Sequence, residues 1–441
     1  MIAIRSNHII LPEGVKPAVV ILDNGIISDI VNEIPADFNG EFIDATDNIV
    51  MAGIIDPHVH INEPGRTEWE GFDTATKSAI AGGITTLVDM PLNSSPVTTS
   101  GKAFEDKISA TKNKLHTNVG FWGGVIPGNT NELEVLIDKG VLGFKAFLTH
   151  SGIDEFPNAT EADLRKAMPI LAKYNLPLLV HAELSDDNHP CTDNPNIYKN
   201  YLATRPEKWE DNAIAMMIRL CEEFNCPVHI VHLSSANSIT QIKNAKERNL
   251  PITVETGQHY LYFCAEEIPD GQTQYKCAPP IRGKENNEQL WNALQNGIID
   301  FVATDHSPAT PDLKELNSGD FMKAWGGIAS IQFAMPVLWT AAKKRNGTFT
   351  DIAKWLAENP AKLIRKETTK GKIAKGYDAD IVIWRDTAFK VTEDTICHKH
   401  KITPYMNETL YGVVEQTFLG GIKVYDRHHF TAPGNGKIIY R

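Results

Sequence analysis

Cysteine is scarce: the 441 residues hold six, Cys191, Cys221, Cys226, Cys264, Cys277 and Cys397. No two are spaced as CxxC and no secreted disulfide framework emerges, so reduced thiols in a cytoplasmic protein are the simplest account. The opening Met-Ile-Ala-Ile-Arg-Ser-Asn-His lacks the basic head and long apolar core of a signal peptide. No apolar run approaches the ~20 residues that span a bilayer. Positive charge is also in deficit, with 43 Lys and Arg against 55 Asp and Glu, a net −12 and a pI near 5.7. That balance argues against nucleic acid or an anionic membrane as partner and leaves an acidic, solvated surface. Low-complexity linkers are missing, and there is no internal repeat beyond an alternation of strands and helices.

What remains is an ordinary globular composition, 42% hydrophobic and 22% charged. The length predicts one domain of barrel size and a smaller one. Residues 1–52 read as short strands and turns, with Asp23-Asn24-Gly25 a turn signal. Eight apolar runs follow. They are Ala52–His60, Ile84–Asp89, Val119–Trp122, Val141–Phe147, Leu176–His181, Val228–His232, Ile252–Glu255 and Ile299–Asp305. The segments between them are helix-like. After Pro206, expected as a first helical residue, Ala213, Met216, Met217, Leu220 and Phe224 fall at helical spacing and form a core face. Eight strands alternating with helices predict an α/β fold, a parallel (β/α)8 TIM barrel. Strand character returns after about residue 370 in Asp380–Trp384 and Gln416–Leu419. The expected organisation is a barrel over 53–369 and one small β domain built from 1–52 and 370–441.

Active sites of parallel barrels lie at the C-terminal strand ends, and five of the eight runs end at, or just after, chemistry. His58 and His60 share one strand face by the period of two. Run four carries Lys145, run five ends in His181, run six in His232 and run eight in Asp305. A single strand histidine is usually a hydrogen-bonded core residue, but five strand ends agreeing is hard to obtain by chance. Lys145, among Leu142, Phe144, Ala146 and Phe147, would be desolvated and its pKa depressed. A neutral amine can take up carbon dioxide as a carbamate, an anion able to bridge two cations; the alternative is a snorkelling or acid-paired lysine. Four histidines, a bridging carbamate and a carboxylate suit two divalent ions, zinc foremost, with iron, cobalt or manganese as alternatives. Asp305 can bind one ion, accept a proton from water and pass it to a leaving nitrogen. The chemistry this predicts is metal-assisted hydrolysis of an amide or imide. Of the other histidines, His229 has the opposite parity to His232 and is expected to face the helices. His398 and His400 are expected in an exposed Lys-rich loop, and His306 should point away from Asp305.

These residues resemble the amidohydrolase superfamily and, within it, the cyclic amidohydrolases, over nearly the whole chain. The resemblance implies a distorted barrel, a small β-sandwich-like domain from both termini, a homo-oligomer (by family habit a tetramer), and metal ligation by His58, His60, carboxylated Lys145, His181, His232 and Asp305. Dihydroorotases carry HxHxRxPG, whereas this chain has His58-Val59-His60-Ile61-Asn62-Glu63-Pro64-Gly65, with Asn62 in place of the carboxylate-clamping arginine. Dihydropyrimidinases place a tyrosine after the lysine, and Phe147–Gly152 has none. Similarity is greatest to allantoinases, at Glu63–Gly71, Asp89–Asn93, Lys276–Arg282, Asp305–Pro308, Lys323–Ile328 and His400–Tyr405. It implies opening of the hydantoin ring of allantoin to allantoate in purine breakdown, with dihydroorotase or hydantoinase/dihydropyrimidinase activity as the alternatives. Gly257-Gln258 departs from the family pattern and is expected to reshape a loop near the site mouth. Candidate substrate contacts are Asn62, Asn93, His150, the Ala278 backbone and Ser307, and Ser307–Trp325 is expected to form a lid. Two further readings compete. One is a mononuclear deaminase with Glu183 as proton shuttle; the other is a non-catalytic scaffold, which would have lost ligands this chain retains.

Overall fold

Each apolar run carries a barrel strand. In the computed structural model, which describes residues 1–186, 194–432 and 434–441, the strands are Ile54–Val59, Ile84–Asp89, Asn118–Phe121 continuing as Gly123–Gly124, Phe144–Phe147, Leu178–His181, Val228–Ile230, Ile252–Gly257 and Phe301–Ala303. Neighbouring strands pair in parallel throughout. One set of alternate residues, including Ile55, Val88, Leu179 and Phe301, fills the barrel. The other set, including Val180, Ile230, Val254 and Val302, packs outward on the helices. This is the period-two logic of a strand buried on both faces. The Glu207–Phe224 helix buries Ala213, Met217 and Leu220, with Met216 and Phe224 half-buried beside them. Pro206 caps this helix rather than opening it, because its ψ of 150° is extended.

The barrel is distorted at its third strand, which kinks at Trp122. Its first half pairs with Ile84–Asp89 and its second, Gly123–Gly124, with Phe144–Phe147. The edge left open is filled by the chain's end: Val119 N–H donates to the Lys437 carbonyl and Ile439 N–H to the Val119 carbonyl, both at 2.9 Å. Residues 437–441 therefore lie on the barrel, not on the small sheet. The seam between first and last strands is closed by polar groups. The Asp56 carboxylate accepts from the Thr304 amide and hydroxyl, and His60 N–H donates to the His306 carbonyl at 2.8 Å.

Outside the barrel, strands from both ends of the chain form one nine-stranded, mostly antiparallel sheet. Val50 is central to it, pairing with Ile9 on one side and Ile383 on the other. Gly53 then turns the chain into the first barrel strand so tightly that a Cβ there would lie 2.2 Å from the Thr85 hydroxyl. Among the described residues no helix is long and apolar enough to cross a membrane. Cys191 lies outside them, and the other five cysteines are free thiols.

Candidate metal centre and catalytic cavity

The C-terminal strand ends open into a cavity of about 400 Å³. His58, His60, His181, His232 and Asp305 all line it, and Lys145 is buried beneath, fully inaccessible. The His58 and His60 Nε2 atoms lie 3.1 and 3.4 Å from Asp305 Oδ1. His232 and Asp305 sit past their strand ends with φ of 37° and 46°, a left-handed backbone that is costly for non-glycine residues and turns both side chains into the cavity.

Behind these groups stand carboxylates that fix the rings. The His58 Nδ1 is bound by Glu255, which also accepts from His229 Nε2 at 3.1 Å. The His181 Nε2 lies 2.7 Å from Glu183, which is held in turn by Arg205. Both pairings place the ring proton on the carboxylate side and turn the other nitrogen toward the cavity, the usual support for a metal-ligating imidazole. The sequence assigns Glu255 no role, although it ends the seventh apolar run. Glu183 enters the sequence reading only as the shuttle of a deaminase. In the structure it is fully buried, does not line the cavity, and Arg205 and His181 hold its pKa down at about 2 against the effect of burial. That is a fixed anion, unsuited to moving protons.

The residues fit bound metal. His181 Nδ1 and His232 Nε2 face each other at 3.0 Å. With the His181 proton on the Glu183 side, two ring nitrogens converge on a point a cation can occupy. His58, His60 and Asp305 bring a second set of donor atoms within 4.8 Å of one another. Burial pushes His181 down to about 4 and His232 and His60 below their ordinary values, so these imidazoles are neutral and ready to ligate. Burial alone would raise Asp305, but the His58 and His60 imidazoles hold it well below the carboxylate range. The Lys145 Nζ has no hydrogen-bond partner among the described residues and lies 5.1 Å from the Phe147 ring centre. Burial lowers it to about 7, the nearby Asp305 and Glu255 pulling the other way. A buried amine near neutrality with no partner is the group a carbamate requires.

Of the candidate substrate contacts, Asn93, His150, Ala278 and Ser307 line the cavity. Asn62 does not. It is fully buried, and its amide donates to the Pro308 carbonyl at 3.3 Å. Gly257 and Gln258 are likewise buried and away from the mouth, where Gln258 begins a short helix. The expected lid is a packed wall: Leu313 and Met322–Gly326 line the cavity while Phe321 is fully buried.

Two histidine expectations are corrected. His229 points into the barrel, stacked on Phe301 at 5.2 Å. The strand ends at Ile230 and the left-handed His232 breaks the period, so parity does not carry across. His398 is fully buried, 5.9 Å from His306 and near Glu70, with a pKa lowered to about 3 by burial. His400 is half-buried, its Nε2 2.7 Å from the Glu68 carbonyl. His306 does point away from the cavity; its Nδ1 accepts from the Ser330 amide at 3.0 Å.

Imidazoles and a carboxylate gathered at the strand ends of a (β/α)8 barrel define a metal-dependent hydrolase. A family model described as the amidohydrolase family matches residues 49–424, and the chain belongs to that family. It is 43% identical to an allantoinase of Streptomyces avermitilis over 100% of this chain and 98% of that protein. It is 44% identical to an allantoinase of Arabidopsis thaliana over 96% and 87% of the respective chains. The fold is similar to an L-hydantoinase (dihydropyrimidinase) of Arthrobacter aurescens, with a TM-score of 0.93, 26% identity and coverage of 100% and 99%.

Proposed function

We propose that this chain is an allantoinase, hydrolysing the cyclic amide of allantoin to allantoate. The observation that carries the chemistry is the convergence of His58, His60, His181, His232 and Asp305 above an unpaired, buried Lys145. The relatives called allantoinases carry the substrate.

In this reading two divalent ions, zinc foremost, are held by the four histidines, Asp305 and a carbamate on Lys145. When bound, the ions polarise the amide carbonyl and acidify water. The chain's own residues do the rest. Glu255 and Glu183 keep the His58 and His181 rings in their ligating tautomers. Asp305 accepts the water proton and returns it to the ring nitrogen as the C–N bond breaks. Asn93, His150, Ser307 and the Ala278 backbone bind the substrate at the walls. Residues 53–369, with 437–441 laid on the third strand, are the hydrolase body, 1–52 with 370–436 the β domain, and the enzyme is a homotetramer. A reducing cytoplasmic setting agrees with the free thiols.

The test is turnover of allantoin, dihydroorotate and hydantoin by metal-replete protein, with metal content measured beside it. Allantoin should dominate, with about two ions per chain. Preference for dihydroorotate or hydantoin would overturn the assignment within the family, and a content near one ion would overturn the paired site.

A further inference from the structure

Three cationic side chains line the cavity: Arg205, Lys276 and Lys323. Lys276 is already committed, its ammonium donating to the Met322 and Ala324 carbonyls at 3.1 and 2.5 Å. Lys323 is 74% exposed. Arg205 differs from both. Its Nε and Nη2 grip the Glu183 carboxylate, and Nη1 makes no hydrogen bond among the described residues. A guanidinium has five N–H groups in a rigid plane, so a bidentate grip by one edge leaves the opposite corner as a fixed donor.

The backbone that carries Arg205 is held from two sides. The Arg205 carbonyl accepts from Arg282 Nη1 at 3.3 Å, and Arg282 is itself paired with buried Glu210 at 2.6 Å. The preceding helix is anchored by the Tyr201 hydroxyl on the Cys277 carbonyl at 2.7 Å. Arg205 is also set back from the reacting atoms. Glu183 and the whole His181 ring stand between it and the His181 nitrogen that faces His232. With the reacting amide against His58, His181 and Asp305, the group left for Arg205 to meet at the cavity wall is an arm projecting from the ring, not the amide itself. Because Glu183 already neutralises the guanidinium, the fitting acceptor is an uncharged carbonyl oxygen, not a carboxylate.

We propose that Arg205 is a specificity residue, donating to a carbonyl on the arm that the substrate carries outside its reacting ring. The inference rests on the function proposed above, in which that arm is the ureido group of allantoin. The test compares allantoin with hydantoin, the same ring without the arm, in wild-type enzyme and in R205K and R205Q. Hydantoin is followed as substrate or as competitive inhibitor, so that a constant is obtained for each ring. Metal content and kcat are read alongside. The expected result, read first in R205K where Glu183 keeps its cation, is a KM for allantoin raised at least threefold more than the hydantoin constant, whatever loss both rings share through His181. R205K keeps a cation on Glu183, so it stays readable if R205Q loses metal or fails to fold. Equal losses for the two rings, or no loss for allantoin, would overturn the inference alone. A wild-type chain that opens hydantoin but not allantoin would overturn the proposed function, and this inference with it.

Discussion

His58 is the residue whose surroundings make the sharpest solution prediction. Burial works against its protonation, but the carboxylates of Asp305 and Glu255 outweigh it and raise its pKa to about 9 in the metal-free chain. A folded-state value above the unfolded one of ~6.5 stabilises the fold fully below pH ~6.5, and that stability is lost as pH rises through 9. The metal-stripped protein should therefore lose on the order of 3 kcal/mol between these limits. On the proposed ligation, which requires a neutral His58, the metal-loaded protein should not. Glu255→Gln should flatten the metal-free profile, and thermal melts across pH 6 to 9 check both expectations.

At the scale of elements, the cavity wall from residue 308 to 327 is tied by two buried lysines, Lys276 and Lys314, and the second makes the longer span. The Lys314 ammonium donates to the carbonyls of Lys276, Trp325 and Gly327 at 3.3, 2.9 and 2.8 Å. It ties the segment that carries Leu313 and Trp325 to the loop that carries Ala278. Burial lowers the Lys314 pKa to about 7, so its bonds are counted at the neutral scale of about 0.5–1.5 kcal/mol each, and carbonyls left buried without partners add a penalty. Lys314→Met should cost about 3 kcal/mol of stability, raise KM for allantoin more than it lowers kcat, and open 308–327 to limited proteolysis. An unchanged KM with unchanged proteolysis would show that the wall holds without this tie.

The molecule as a whole is joined at a second buried charge. The Lys370 ammonium lies 2.6 Å from Asp380 and 2.8 Å from Asp378, where the chain passes from the last barrel helix into the terminal sheet. Asp380 also accepts from the Gly420 amide at 2.8 Å, and its carbonyl accepts from Gly53 N–H at the barrel entrance. Removing the lysine strands a buried carboxylate, a loss of about 3–5 kcal/mol. Lys370→Met should lower the melting temperature of sheet and barrel together, in one transition, with metal content per chain unchanged. Two separated transitions would mean the parts unfold independently.

The eight barrel strands and the residues at their ends were legible from the chain itself, because an apolar run and its period of two are local properties. His58, His60, His181, His232, Asp305 and buried Lys145 needed nothing more to be picked out. Everything that depends on ring closure needed the tertiary structure. Glu255 meets His58 across 197 residues, and only a closed barrel brings them together. His229 turned inward because the strand stopped short of His232. His398, in a stretch of lysines that reads as surface, was buried against His306 by the returning C-terminal segment, and Asn62 was drawn behind the cavity wall by Pro308. Local pattern determined which residues gather at the strand ends around one cavity. Long-range packing decided which of them face the cavity, which stand behind, and what holds each in place.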